Sequence, residues 1–107
     1  MEEEKHSVNV DGVEICLSLF RLENAVIAFF YEGVAKLGTV AVSLTVPGGV
    51  GLGPSSTILG EKNKLAARVI AEKLASKTGR VALVSVYAKM PESELLKAMV
   101  RLIEKIC

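Results

Sequence analysis

Residues 7–20, SVNVDGVEICLSLF, alternate apolar and polar side chains on either side of Asp11-Gly12. An Asp-Gly pair accepts the positive φ angles of a type I′ turn, so the stretch predicts a two-residue β-hairpin. In that register Val10 faces Val13 and Val8 faces Ile15. Val8, Val10, Val13, Ile15, Leu17 and Leu19 then share one face, while Asn9, Glu14, Cys16 and Ser18 share the other. After the turn-like RLEN, the run AVIAFFYE is apolar on both sides, with Ala25, Ile27, Phe29 and Tyr31 on one and Val26, Ala28 and Phe30 on the other. A strand of that kind belongs inside a sheet, covered twice. GVAKLG reads as a turn. The following TVAVSLTV places Val40, Val42, Leu44 and Val46 on one apolar face and makes a fourth strand.

Beyond a glycine-rich stretch, SSTILGE is a short fifth strand, and NKLAARVIAEKLASKTG changes to a helical period. Leu65, Val69, Ile70 and Leu74 fall on one side of this helix and Lys64, Arg68, Glu72 and Lys73 on another, with Gly79 as its stop. RVALVSVYA returns to strand. Pro91 suits the first turn of a last helix whose buried stripe is Leu95, Leu96, Met99, Leu102, Ile103 and Ile106. The expectation is an α+β domain spanning 1–107: a mainly antiparallel sheet of about six strands with two helices packed on one face. Two helices cover one face only, yet AVIAFFY and RVALVSVYA are apolar on both sides. The uncovered face calls for a second copy or a partner, and a homodimer is expected.

Length and charge narrow the functional classes. A chain of 107 residues, half of them apolar, fits one compact domain. Thirteen basic against twelve acidic residues leave a net charge of +1, which provides no overall field for nucleic acid or an anionic membrane. No apolar run approaches the roughly 20 residues of a membrane span, and the opening MEEEKH is acidic where a signal peptide is basic. A cytoplasmic protein is expected. Cys16 and Cys107 give neither a disulfide framework nor metal-ligand spacing. Glu and Lys dominate the charged set and Gln is absent, a composition that leans toward a thermophilic source.

The stretch PGGVGLGPSS, residues 47–56, invites comparison with the phosphate-binding loop G-x-x-x-x-G-K-[ST]. Gly48 and Gly53 have the spacing. Pro54, however, stands where the lysine belongs and removes a backbone donor as well, and the β-branched SSTIL that follows supplies no helix N-terminus. A dinucleotide fingerprint fails for want of the same helix. The loop instead displays Val50 and Leu52 between glycines, the form of a partner-docking loop or of a plain connector. His6, the only histidine, is read as a solvated residue of a charged N-terminal tail that includes Glu2 to Glu4. No Ser-His or Cys-His pair can be assembled from it. Glu92 and Glu94 are read as dipole partners in the first turn of the last helix. The basic side of the first helix, Lys62, Lys64, Arg68, Lys73 and Lys77, is either a solvated face or a docking patch for an acidic protein surface. No catalytic, cofactor-binding or metal-binding residue emerges, and an enzyme is not expected. The candidate partner-binding residues are Gly49, Val50, Leu52 and Pro54 in the loop and Lys64 and Arg68 on the helix.

Three blocks carry a resemblance: AKLGTVAVSL; SSTILGEKNKLAARVIAEKLAS; and RVALVSVYAKMPESELLKAMVRLIEKIC. In element order, with the opening hairpin, the chain resembles the proteasome assembly chaperone 3 and 4 family over nearly its whole length. That resemblance implies a dimeric, cofactor-free, non-enzymatic protein that holds α-type subunits of the 20S proteasome. The loop between the fourth and fifth strands departs from the animal and fungal members, being compact and glycine-rich where theirs is longer and polar. A short, thermophile-like chain looks like an archaeal version acting as a homodimer. The alternative is a roadblock or longin-like dimeric scaffold that regulates a small GTPase. Such modules open with a helix before the sheet, whereas this chain opens with the VDGV hairpin.

Overall fold

The computed structural model describes residues 2–44 and 55–106. Eight elements follow in the order β1 (Glu3–Val10), β2 (Val13–Arg21), β3 (Ala25–Glu32), β4 (Thr39–Ser43), β5 (Ser55–Leu59), α1 (Lys64–Thr78), β6 (Val81–Tyr87) and α2 (Glu92–Lys105). The class is the expected α+β, with a six-stranded, mostly antiparallel sheet and two helices.

Local chemistry sets the hairpin. Asp11 (φ 50°) and Gly12 (φ 83°) both take positive φ, as the type I′ turn requires, and Gly12 N–H donates to Asn9 Oδ1 at 3.0 Å. Val10 pairs with Val13 and Val8 with Ile15, the register expected from the alternation. The strand starts earlier than expected, however. Glu3, Glu4, Lys5 and His6 belong to β1 and pair with residues 17–20 of β2, so the charged start is part of the sheet rather than a tail.

The strand order is β1-β2-β3-β6-β4-β5. Short links alone would make β3 and β4 neighbours. Instead β6 lies between them, parallel to β3 and antiparallel to β4. The apolar character of β6 suits this central position, where both of its edges are paired and one face lies under α1. GVAKLG is consequently a link from β3 across the end of β6 to β4. Gly38 allows the passage: a Cβ at this position would lie 2.0 Å from the Val86 carbonyl oxygen.

Both helices pack on one face of the sheet, α1 over β4, β6 and β5 and α2 over β1 and β2. On that face Ile15, Leu17, Leu19, Val26, Ala28, Phe30, Ala82, Val84 and Val86 are buried. The helix-facing residues of β4 are small: Thr39, Ala41 and Ser43. They meet an α1 face made of Ala66, Ala67, Ile70, Ala71, Leu74 and Ala75, so helix and sheet approach closely through short side chains. The apolar stripe expected for α1 is corrected here. Ile70 and Leu74 are buried, but Leu65 is 63% exposed, because alanines occupy the rest of the inner arc. In α2 the stripe is as expected in Leu95, Met99, Leu102 and Ile103, joined by Ala98, while Leu96 is half-buried.

The helix ends are tied across the fold. Asn63, at the start of α1, makes no side-chain cap and sends its amide to the Ala88 carbonyl. Glu92 Oε2 accepts from the Ala66 backbone N–H at 3.0 Å, so a carboxylate in the first turn of α2 satisfies an N-terminal donor of α1. Glu32 Oε1 accepts from the backbone N–H groups of Lys89 and Met90, fixing the link between β6 and α2 to the end of β3.

Candidate protein-docking surfaces

Strand alternation determines what the second sheet face carries. Registers that send Val26, Ala28 and Phe30 toward the helices send Ile27, Phe29 and Tyr31 the other way, beside Phe20 of β2 and Leu83 and Tyr87 of β6. In β4, Val40 and Val42 point to this same side. Phe20, Ile27, Phe29, Tyr31, Val42, Leu83 and Tyr87 are each partly exposed, and neither helix reaches them. Phe20 and Phe29 stack edge to face, with centroids 6.1 Å apart at 85°.

The link from β3 to β4 is the one segment among the described residues that lies over this face. Gly38 N–H donates to Ser85 Oγ at 3.0 Å, and Lys36 Nζ sits 5.1 Å from the Tyr87 ring centroid. The link arches over a shallow cleft of about 280 Å³ lined in part by Ser18, Phe20, Phe29, Tyr31, Ala35 and Leu37. Ser18 Oγ and Tyr31 Oη lie 3.4 Å apart at its floor. Val34 and Leu37 are each 64% exposed, so the link adds apolar surface to the face rather than sealing it. Cys16 lies on the same side, beside Tyr31. Burial, reinforced by the nearby Glu14 carboxylate, pushes its thiol above the ordinary cysteine value.

The candidate residues Gly49, Val50, Leu52 and Pro54 lie outside the described residues. Lys64 and Arg68 stand one turn apart at the β5 side of α1. Lys64 pairs with Glu61 at 3.2 Å. Arg68 is turned onto β5, where Nε donates to Ser55 Oγ at 3.3 Å and Nη2 to the Ser55 carbonyl at 3.4 Å. The Ser55 hydroxyl in turn donates to Glu72. Arg68 therefore fastens the edge strand to the helix, a role that the helical pattern does not reveal because the partner lies thirteen residues away in a strand.

A polar cluster at the β1–β2 end was also hidden from the pattern. Glu4 Oε2 meets His6 Nε2 at 2.7 Å, and Arg21 Nη2 lies 3.3 Å from Glu4 Oε1. The His6 hydrogen bond, with Arg21 adding to it, holds Glu4 below the usual carboxylate range against the opposing effect of burial. His6 is thus a partly buried hydrogen-bonding residue, not a solvated one. Among the described residues no group of three or more His, Cys, Asp and Glu side chains is placed to hold a metal ion, and no helix is long and apolar enough to cross a membrane.

No protein-family model matches the chain. A search of curated proteins finds no match either. Among solved structures, the chain is similar to one from a crystal structure described as a novel chaperone complex for yeast 20S proteasome assembly. The TM-score is 0.69 at 10% sequence identity, over 97% of this chain and 90% of that one. The protein shares the fold of a component of that yeast chaperone complex, from its first strand to its last helix.

Proposed function

We propose that the protein is a non-enzymatic assembly chaperone of the cytosol: a homodimer that transiently holds proteasome α-type subunits. The observation that carries this reading is the near end-to-end likeness to a chain of the yeast 20S proteasome assembly chaperone complex. The open sheet face supports the dimer. Phe20, Ile27, Phe29, Leu83 and Tyr87 form an aromatic and aliphatic surface of the composition found at interface cores. A two-fold axis through that face would bring two such surfaces together and leave both helix layers outside. The client surface then comprises the 47–56 loop and the exposed side of α1. The chaperone presents a preformed surface that favours one subunit arrangement and is displaced when a tighter subunit contact competes for the same area. The Glu- and Lys-rich composition fits an archaeal, thermophilic member working as a homodimer.

Size-exclusion chromatography with light scattering, on the protein alone and mixed with α-type subunits from the same source, tests both parts. A mass of twice the chain mass that shifts to a larger complex with α-type subunits is the expected result. A strict monomer at micromolar concentration refutes the dimer, and a dimer that ignores α-type subunits refutes the client.

A further inference from the structure

The net charge of +1 conceals a division. Residues 61–107 carry ten of the thirteen basic side chains and five of the twelve acidic ones, whereas residues 1–60 carry three and seven. Both helices belong to the basic part and lie side by side on one face of the sheet. Within the two helices the count is seven basic to four acidic side chains, so the helix layer carries most of that excess.

Three of the five carboxylates of residues 61–107 are engaged. Glu61 pairs with Lys64, Glu72 accepts from Ser55 and Glu92 accepts from the Ala66 N–H. Two of the lysines meet neutral acceptors: Lys77 Nζ donates to the Ile103 carbonyl at 3.0 Å, and Lys105 Nζ to the Ser7 carbonyl at 2.8 Å. Such bonds position an ammonium group without cancelling its charge. Within this surface, α1 and α2 enclose a groove of about 280 Å³. Its lining comprises Lys73, Ser76 and Lys77 from α1 and Val100, Ile103 and Glu104 from α2. Val100, partly buried, gives it an apolar floor beside Ile103; Leu96, one turn before Val100, continues that stripe along α2, and exposed Lys97 lies next to Leu96 on the same helix.

We propose that this groove between α1 and α2 docks an acidic amphipathic helical segment of a partner protein. The lysines select carboxylates, and Leu96 and Val100 select an apolar side chain between them. A nucleic acid backbone is disfavoured, since it would bring no apolar group to the floor. A second copy is disfavoured too. Its acidic β1–β2 end would have to bind this basic groove head to tail, a heterologous contact that grows into filaments instead of closing. The inference deepens the chaperone reading by naming the chemistry of the client surface, and it relocates docking from Lys64 and Arg68, which are tied to Glu61 and Ser55, to Lys73, Lys77 and Lys97.

The test uses a synthetic helical peptide with Glu on one side and Leu on the other, titrated into the ¹⁵N-labelled full chain. Amide shifts are expected at residues 73–77 and 96–104, with binding that weakens as salt rises from about 50 to about 500 mM. Lys73→Glu/Lys97→Glu is expected to weaken binding by roughly tenfold, because two attractive screened pairs become repulsive. Lys62→Glu/Lys89→Glu makes the same charge change away from the groove and is expected to alter binding by less than about threefold. The proposal is overturned if the shifts centre on the open sheet face or on β5. It is equally overturned if the two variants bind alike, if a Gln version of the peptide binds as well as the Glu one, or if no binding occurs. Repeating the comparison with α-type subunits separates the two ideas. Capture unaffected by Lys73→Glu/Lys97→Glu removes the groove and leaves the chaperone reading; a groove that takes the peptide in a protein that ignores α-type subunits does the reverse.

Discussion

Replacing Glu92 by alanine should destabilise the domain through a helix to which Glu92 does not belong. α1 begins at Lys64 with no side-chain cap from Asn63 and no acidic residue in its first turn. The carboxylate that answers its N-terminal N–H groups comes from α2, as Glu92 Oε2 at 3.0 Å from Ala66 N. Loss of an N-terminal capping acceptor costs about 1 kcal/mol, and loss of the negative charge beside the positive end of the helix dipole about 0.5 kcal/mol more. For a chain of this length, an unfolding entropy of about 2.1 cal/mol/K per residue converts 1.5 kcal/mol into a fall in Tm of roughly 7 °C. Glu92→Gln keeps an acceptor and loses the charge, so its loss should be about a third as large. Glu94→Gln, in the same turn but without the bond to α1, should move Tm by no more than about 2 °C. Calorimetry at one protein concentration is the assay, because the midpoint of a dimer depends on concentration. An alanine variant within 1 °C of the parent, or a Glu94 variant that loses more than the Glu92 variant, would refute the reasoning.

Three further outcomes follow from the same contacts. Gly38→Ala puts a Cβ 2.0 Å from the Val86 carbonyl oxygen, a backbone atom that cannot turn aside. The β3–β4 link should detach and the protein lose about 3 kcal/mol or more in urea denaturation, with an unchanged midpoint counting against the close approach. Glu4 has a lowered carboxyl pKa, so its contribution to stability is complete above the unfolded carboxylate value and is lost as pH falls through the lower, folded value. Glu4→Gln should therefore be less stable than the parent at neutral pH and approach it below about pH 4; a constant gap between the two across that range would show that the cluster contributes nothing through charge. Cys16 has a raised thiol pKa and lies on the open sheet face, so alkylation mapped to its peptide at pH 7 should be slow and, if the proposed dimer forms through this face, become slower as protein concentration rises. A rate equal to that of a free thiol at every concentration would be inconsistent with both the raised pKa and the dimer through this face.

The candidate surfaces were legible in the sequence in unequal degree. The second apolar face was plain, because a strand such as AVIAFFYE has a side-chain period of two and both halves of it are hydrophobic. Arg68 was legible as a basic helix residue but not as a fastener of β5, since the Ser55 it grips is thirteen residues away and no periodicity links a strand end to a helix. His6 and Glu4 read as solvated residues for a similar reason. Charges at the start of a chain resemble a tail until Arg21, in the facing strand, is seen to meet them. The groove lined by Lys73, Lys77 and Val100 depends on two helices far apart in sequence lying side by side.

Local physics, carried by the sequence alone, determined the elements: the Asp11-Gly12 turn and its register, the switch from period two to a helical period after Gly60, the stop at Gly79 and the apolar stripe of α2. Those features rest on positive φ angles and side-chain spacing within a few residues, which are properties of short segments. The order of strands belonged to the tertiary structure. Inserting β6 between β3 and β4 required the fold to choose which doubly apolar strand lay at the centre, and that choice depends on the sum of contacts across the sheet and on Gly38 letting a link pass over Val86. The same choice placed α1, with its alanine face, against the small residues of β4, and left Leu65 outside. Packing of whole surfaces, rather than the preference of any one segment, decides such matters, because burial is shared among residues that the chain brings together only on folding.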